Sequence, residues 1–253
     1  MTTTAYTEKK FSKLEDRIGI EFSQKDLLVQ AFVHRSYLNE HRDFPTGHNE
    51  RLEFLGDAVL ELIVTEYLFE RYNNPEGELT NWRAALVNAK MCAAVANEIG
   101  LEDYLFLSHG ESKDAGTKAR EYILANALEA LIGAIYLDKG FDLARQFVTR
   151  WVITKLPEVL ELGLWMDPKS RFQESAQELL GITPTYRVLK EEGPDHDKHF
   201  VVGVYLDKEF VADGEGTSKQ EGQVDAAEHA LAIKKWKGPK VEILERTEGD
   251  ETR

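Results

Sequence analysis

The 253-residue sequence lacks several features that mark common protein classes. It has one cysteine, Cys92, which cannot form a disulfide within the chain and fits a reducing cytoplasm. No run of about 18 apolar residues occurs, so the sequence predicts no transmembrane helix and no membrane partner. Residues 1–11 contain no apolar core, and we therefore expect no secretory signal. These absences together predict a cytoplasmic protein.

Basic residues are also scarce relative to acidic ones. Lysine and arginine number 31 against 45 aspartates and glutamates, which gives a net charge of −14 at pH 7. A nucleic-acid-binding protein usually shows a basic surface, so this balance at first argues against such a function. Hydrophobic residues make up 42% of the chain, which is enough for a packed core. At about 100–200 residues per domain, one large or two modest domains are expected.

Apolar residues in the first two thirds of the chain recur at three- and four-residue steps, which is typical of helices. Helices are predicted over residues 49–72, 120–138 and 142–154. The core stripe predicted for the first of these helices comprises Leu52, Leu55, Val59, Leu62 and Ile63.

After residue 165 the pattern changes to a mixture of helix and strand. A helix is predicted over 170–180, short strands over 185–190, 199–206 and 209–212, and a last helix to about residue 236. Thr217 or Ser218 can cap that last helix. The predicted order is α-β-β-β-α, a small α+β module that follows a mainly α region.

Carboxylates gather on one face of the helix predicted at 49–72. On a wheel of about 100° per residue, Glu50, Glu53, Asp57 and Glu61 lie together, away from the apolar stripe. Glu53 and Asp57 are four residues apart, so their like charges repel unless a cation bridges them. Hard cations such as Mg²⁺ take oxygen ligands of this kind.

The helix predicted at 120–138 has a comparable pair, Asn126 and Glu129, opposite its leucine stripe. An amide oxygen and a carboxylate can both ligate a hard cation. Ordinary solvated helix faces explain the same pattern, and spacing alone favours that interpretation. Phe54 lies beside the acidic face, where it is either an isolated surface residue or a contact with another subunit.

The string NERLEFLGDAVL at residues 49–60 closely resembles the signature motif of the ribonuclease III family. Three further segments resemble the same family in its order, namely AFVHRSY at 31–37, EGELT at 76–80 and ILANALEALIGA at 123–134. The resemblance implies an all-helical nuclease domain that cuts double-stranded RNA as a homodimer and uses Mg²⁺, or Mn²⁺ in its place.

Residues 167–236 resemble a double-stranded-RNA-binding domain. The supporting segments are DPKSRFQE at 167–174, GPDH at 193–196 and GEGTSK at 214–219. Together the two resemblances cover roughly residues 10–236. They imply a nuclease domain at 8–160, a linker at 161–166, an RNA-binding domain at 167–237 and an acidic, solvated tail at 238–253.

The resemblance to the nuclease family also assigns roles to individual residues. Glu53, Asp57 and Glu129 match its metal-ligand positions, with position 126 as the fourth. Glu50 and Glu76 match additional acidic positions at the cleavage site, so the catalytic set comprises Asp57, Glu129, Glu50 and Glu76. Phe54 matches a residue that packs into the partner subunit, which favours the interface interpretation.

In the second domain the resemblance implies RNA contacts by Gln173, Glu174, His196 and Lys219. Such a domain reads the shape of A-form RNA over about 16 base pairs. The expected products carry 5′-phosphate and 3′-hydroxyl ends with short 3′ overhangs. The expected substrates are structured precursors of ribosomal and messenger RNA.

Three residues depart from the family pattern. Asn126 stands where the family usually has aspartate, which removes one negative charge from the predicted metal site. Gln220 replaces a second basic residue, and Gly222 replaces an alanine. The alternative hypothesis is therefore an RNA-binding protein whose catalysis is weakened or lost.

Overall fold

The computed structural model of the protein describes residues 9–113, 116–194, 198–236 and 241–246. Its chain packs into two units. One comprises the residues up to Leu156 together with the segment from Leu244 onward, and the other is Pro157–Ile243. The helix Leu156–Leu162 extends into the stretch where the sequence predicts a linker. The domain limits 8–160, 161–166, 167–237 and 238–253 stay predictions.

The first unit is built from α-helices joined by short turns, with 3₁₀-helices at Leu101–Tyr104, Glu111–Lys113 and Ile153–Lys155. Its helices are α1 (Phe11–Ile18), α2 (Lys25–Gln30), α3 (Arg35–Glu40), α4 (Glu50–Arg71), α5 (Glu76–Val87), α6 (Ala89–Ile99), α7 (Lys118–Lys139) and α8 (Phe141–Trp151). Helix α9 (Leu156–Leu162) follows, and all of it except Leu156 belongs to the second unit. The three helices that periodicity predicts in this part of the chain correspond to α4, α7 and α8.

Helix α7 is the central helix of this unit. The Thr117 side chain caps its start by accepting a hydrogen bond from the Arg120 amide at 3.3 Å. Gly140 ends it, as the sequence predicts. Buried residues occur on nearly every side of α7, whereas Asn126 and Glu129 are only partly buried. A helix surrounded by its neighbours in this way positions everything that packs against it.

The buried face of α4 differs from the predicted stripe at two residues, of which Leu55 is only half-buried. Leu52, Val59 and Ile63 are buried as expected, but the Leu62 side chain is 57% exposed. Leu60 and Val64 are buried instead. Leu62 lies on a second apolar edge of the helix, which a pattern of three- and four-residue steps does not distinguish from the core edge.

The second unit contains α10 (Pro168–Leu180), β1 (Thr185–Glu192), β2 (His199–Leu206), β3 (Glu209–Gly216) and α11 (Lys219–Lys234). The strands form an antiparallel sheet in the order β1-β2-β3. Ser218, one of the two predicted caps, accepts a hydrogen bond from the Glu221 amide at the start of α11. The predicted α-β-β-β-α order is confirmed, and with it the mainly α architecture followed by an α+β module.

One core joins the two helices of this unit to one face of its sheet. It comprises Phe172, Ala176, Val204, Leu206, Val211, Ala212, Ala226, Ala227, Ala230 and Leu231. The glycine at 222, where alanine is usual, packs closely on the sheet, since a Cβ there would lie 2.8 Å from Val202 Cγ2. The small residues on α11 therefore allow the helix to approach the sheet closely.

The segment Leu244–Arg246 pairs with the end of α4, within the first unit. The Asn73 amide donates to the Leu244 carbonyl at 2.6 Å, and the Arg246 amide donates to the Arg71 carbonyl at 2.9 Å. The Arg246 guanidinium lies 4.5 Å from the centre of the Phe69 ring. Leu244 and Glu245 are nevertheless exposed, so the solvated tail stays a prediction. Charge composition carries no information about this backbone pairing, because the partner segment is distant in the chain.

None of the helices in the described ranges is both long enough and apolar enough to span a membrane.

Candidate active site and RNA-binding face

Helices α4 and α7 cross at two glycines, Gly56 and Gly133. A Cβ atom at Gly56 would overlap the backbone carbonyl of Glu129, and one at Gly133 would overlap the carbonyl oxygen of Leu52. Only glycine allows the two backbones to approach this closely. The crossing therefore brings the acidic face of α4 next to the Glu129 turn of α7, which spacing alone does not establish.

Two carboxylates at this crossing have raised pKa values, in part because other carboxylates lie nearby. The pKa of Glu129 is raised to about 7, first by burial and then by the charges of Asp57 and Glu53. The pKa of Glu53 is also raised, first by burial and then by Glu50 and Asp57. Glu53, Asp57 and Glu129 thus form one cluster, which we call the acidic cluster. A plain solvated helix face would not perturb Glu129 in this way.

Asn126 lies on α7 almost one turn before Glu129 and is half-buried, as Glu129 is. Its side chain offers an oxygen but no charge. The predicted fourth ligand therefore shares a helix edge with Glu129.

Glu50 borders the acidic cluster, and two basic side chains lie beside it. Its carboxylate oxygens lie 3.4 Å from Arg35 Nη1 and 3.7 Å from His48 Nδ1. Its charge contributes to the raised pKa of Glu53. Glu50 is therefore available to the site only when these contacts exchange.

Glu76 lies apart from the acidic cluster. It is the first residue of α5, and its carboxylate accepts a hydrogen bond from Thr80 Oγ1 at 3.0 Å. It lines a separate cleft of about 500 Å³ beside the C-terminal half of α4, together with Thr65, Arg83 and Arg246. Within one chain, the described contacts of Glu76 are with this cleft and not with Glu129.

The acidic cluster fits a hard divalent cation by charge and donor type. Three carboxylates and one amide oxygen are ligands that Mg²⁺ accepts. An added positive charge would favour the ionised form of Glu129, which burial first and then the charges of Asp57 and Glu53 disfavour. In the ranges that the structure describes, no three His, Cys, Asp or Glu side chains are already arranged to hold a metal ion.

Gly56 and Gly133 are the functional residues that the sequence reasoning missed. A glycine inside a helix costs about 1 kcal/mol relative to alanine, so its presence in the middle of two long helices requires a packing reason. The two glycines within predicted helices were therefore the sequence signal that could have indicated a close helix crossing. Both glycines lie within the segments that carry the family resemblance.

The Phe54 side chain is 82% exposed. Leu62 and Phe69 on the same helix are 57% and 54% exposed, and all three project within about 80° of one another. We call Phe54, Leu62 and Phe69 the apolar strip. Exposed apolar side chains along one edge of a helix occur at contacts with another protein surface.

In the second unit, the predicted RNA contacts lie on exposed surfaces. Gln173 and Glu174 are exposed on α10. Lys219 is the first residue of α11, and its side chain is 59% exposed. Its ammonium lies 5.7 Å from the centre of the Phe200 ring. His196, the fourth predicted contact, falls outside the described residues.

Comparison with known proteins matches both units to families. Residues 24–156 match the model described as "Ribonuclease-III-like", and residues 168–249 match "Double-stranded RNA binding motif". The curated Ribonuclease 3 of Borreliella burgdorferi is 43% identical over 225 residues, covering 88% of this chain and 91% of that protein. That of Enterococcus faecalis is 42% identical over 221 residues, covering 87% of this chain and 95% of its own. The chain belongs to the ribonuclease III family.

A solved structure of a ribonuclease III nuclease domain from Campylobacter jejuni, whose description concerns a region involved in dimer formation, also matches. It is 43% identical, covers 58% of this chain and 99% of its own, and has a TM-score of 0.52. The resemblance recognised in the sequence is thereby confirmed. As a member of the ribonuclease III family with a double-stranded-RNA-binding domain, the protein is an endoribonuclease that acts on double-stranded RNA.

Proposed function

We propose that this ribonuclease uses a divalent metal ion, Mg²⁺ or Mn²⁺ in its place, which Glu53, Asp57, Asn126 and Glu129 would hold. The observation that supports the proposal is the close crossing of α4 and α7 at Gly56 and Gly133, which brings Glu53 and Asp57 near Glu129. Burial first, and then the charges of Asp57 and Glu53, raise the pKa of Glu129 there. When bound, the ion supplies a more acidic water for attack on the phosphodiester and neutralises charge on the leaving oxygen.

The side chains of the acidic cluster have two tasks in this proposal. Glu129 must be ionised to bind a cation, so its proton must leave its carboxylate before metal enters. Asp57, one turn after Glu53 on α4, would hold the ion together with Glu53 and Glu129. Hydrolysis adds water across the bond between phosphorus and O3′. The phosphate therefore stays on the 5′ end, and the 3′ oxygen takes up a proton.

Glu50 and Glu76 are proposed to support catalysis at the edge of the site. Glu50 already acts on Glu53 through its charge. Glu76 lies in a different cleft of the same chain, and we propose that it reaches cleavage chemistry in the assembled dimer.

The second unit is proposed to read the shape of the duplex. Gln173 and Glu174 can hydrogen-bond 2′-hydroxyl groups in one minor groove, and His196 would reach the next. Lys219 would contact the phosphates between them, since it combines a side-chain cation with the N-terminal end of a 16-residue helix.

The assembled enzyme is proposed to be a homodimer in which the apolar strip of each subunit packs on its partner. One site per RNA strand then gives a staggered cut with short 3′ overhangs. Native mass measurement at micromolar concentration should show a dimer, and Phe54→Ala should shift the balance toward monomer. Its control is Leu137→Ala, which truncates an exposed apolar residue on α7 and should leave the dimer unchanged. A wild-type monomer would contradict this assembly.

The proposed substrates are structured precursors of ribosomal and messenger RNA in the cytoplasm. A long RNA duplex is the simplest test substrate. Incubated with the pure protein and Mg²⁺, it should yield short duplexes with 5′-phosphate ends, and EDTA should stop the reaction. RNA that stays intact at high enzyme and metal concentrations would favour the alternative that Asn126 has cost the protein its catalysis.

A further inference from the structure

Two lysines of the second unit converge on one carboxylate, that of Glu191 near the end of β1. Lys198 Nζ donates a hydrogen bond to Glu191 Oε1 at 2.8 Å. Lys219 Nζ lies 4.0 Å from the other oxygen, Oε2. The two cations come from different elements, since Lys198 precedes β2 and Lys219 begins α11.

We propose that Glu191 stands in for an RNA phosphate, holding Lys198 and Lys219 in the free protein and releasing them when a duplex binds. The proposal rests on the function proposed above for Lys219. It adds a residue that opposes binding and a second lysine, Lys198, to the phosphate-contacting set. A carboxylate suits this role because it carries its charge on two oxygens, as a phosphodiester does.

The exchange is physically feasible because all three side chains are accessible to solvent. Relative exposures are 40% for Glu191, 34% for Lys198 and 59% for Lys219. Exposed pairs are weak, so a duplex carrying many phosphates can displace a single carboxylate. The same two lysines lower the pKa of Glu191, first through the Lys198 hydrogen bond, so this carboxylate stays ionised and remains a competitor at neutral pH.

Because this unit offers few cations, competition between Glu191 and the RNA phosphates for Lys198 and Lys219 should affect RNA binding. Gln220 follows Lys219, so α11 offers one cation at its start where two are common. If Glu191 holds Lys219 and Lys198 together, the free protein presents fewer available cations than its sequence suggests. Removing the carboxylate should then strengthen binding more than the loss of one negative charge elsewhere would.

The neighbouring residue supplies a matched control. Glu192 lies on the same strand and pairs with Lys190 at 2.8 Å. Glu191→Gln and Glu192→Gln therefore remove the same charge from adjacent positions, and only the first removes the carboxylate that Lys198 and Lys219 share. Both side chains are exposed, and thermal unfolding would verify that both variants are folded.

The experiment measures binding of a 20-base-pair RNA duplex by the full-length protein in EDTA, where cleavage does not interfere. At low salt, Glu191→Gln should bind about threefold to fivefold more tightly than wild type, the range expected from one exposed ion pair. Glu192→Gln should gain clearly less. The logarithm of the affinity should also fall more steeply with the logarithm of the salt concentration for Glu191→Gln. In this variant Lys198 and Lys219 displace counterions from the RNA without competition from the Glu191 carboxylate.

A double-mutant cycle shows whether the gain acts through the lysines. In a Lys198→Gln/Lys219→Gln background, the gain from Glu191→Gln should shrink to that of Glu192→Gln. An undiminished gain in that background, or equal gains from both glutamate variants in the wild-type background, would overturn the proposal. A wild-type protein that fails to bind the duplex at low salt would instead overturn the RNA-binding function of this face.

Discussion

The acidic cluster of the nuclease unit and the surface of the RNA-binding unit use carboxylates in opposite ways. In the nuclease unit, burial first and then the charges of neighbouring carboxylates raise the pKa of Glu53 and of Glu129. In the RNA-binding unit, Glu191 and Glu192 each lie within 4.0 Å of lysines, and the pKa of Glu191 is lowered. The same residue type is electrostatically unfavourable in one unit and favourable in the other.

The difference follows from what positions the charges. At the acidic cluster, the backbones of α4 and α7 meet at Gly56 and Gly133, so the helices hold the carboxylates together regardless of their repulsion. On the RNA-binding unit, Glu191 and Glu192 are exposed side chains that pair with nearby lysines. The acidic residues behind the net charge of −14 thus include some that lie close to other carboxylates and some that pair with lysines. Net charge alone does not exclude an RNA enzyme.

The largest expected effect comes from neutralising one member of the acidic cluster. Glu129→Gln should reduce cleavage of long duplex RNA by about a thousandfold, because several kcal/mol of transition-state stabilisation depend on a held cation. Duplex binding in EDTA should be unchanged. The control is Glu121→Gln, an exposed glutamate on the same helix, which should cleave normally. Loss of duplex binding in a folded Glu129→Gln protein would contradict the assignment of cleavage to the nuclease unit and of duplex binding to the other unit.

The next effect comes from separating the two helices. Gly56→Ala inserts a methyl group into the Glu129 backbone, and we expect it to lower the free energy of unfolding by about 3 kcal/mol and to reduce cleavage. Thermal and denaturant unfolding measure the first, and the duplex assay measures the second. Gly77→Ala is the matched control, since a Cβ there meets nothing within 4 Å, and its stability should change by about 1 kcal/mol or less. If Gly56→Ala and Gly77→Ala change stability and cleavage equally, the close crossing of α4 and α7 does not hold the acidic cluster together.

A smaller effect is expected from restoring the charge missing at position 126. Asn126→Asp should lower the Mg²⁺ concentration needed for half-maximal cleavage by roughly tenfold, because the affinity of oxygen sites for hard cations depends on how many ligands are charged. Asn97→Asp adds the same charge to an exposed position on α6 and should leave the titration unchanged. An unaltered midpoint in Asn126→Asp would show that the amide oxygen is already an adequate ligand.

Sequence periodicity predicted the helices and the carboxylate pairs because both are local properties. Glu53 and Asp57 share a face by their spacing alone, and so do Asn126 and Glu129. The contact between these two pairs is a tertiary contact. Helical spacing does not predict it, whereas the resemblance to the family motif does. Leu62 was assigned to the core for a related reason, since α4 has two apolar edges and periodicity does not tell which edge faces the protein. The pairing of Leu244–Arg246 with Arg71–Asn73 connects residues far apart in the chain, and no local pattern encodes it.

The acidic cluster also predicts how stability depends on pH. The folded pKa of Glu129, about 7, exceeds its ordinary value of 4.5, so the folded state holds a proton that the unfolded state releases. This group therefore lowers the stability of the metal-free protein as pH rises from about 4.5 to about 7. Glu129→Gln lacks the ionisation and should escape the loss.

Thermal unfolding of wild type and Glu129→Gln at pH 5 and pH 8, in EDTA and in Mg²⁺, tests the central claim that the acidic cluster is strained without a cation. In EDTA the stability advantage of Glu129→Gln should widen from pH 5 to pH 8. At pH 8, Mg²⁺ at ten times its dissociation constant should stabilise wild type by about 1.4 kcal/mol and the variant by much less. Equal stabilisation of both proteins by Mg²⁺, with no widening between the two pH values, would contradict the account.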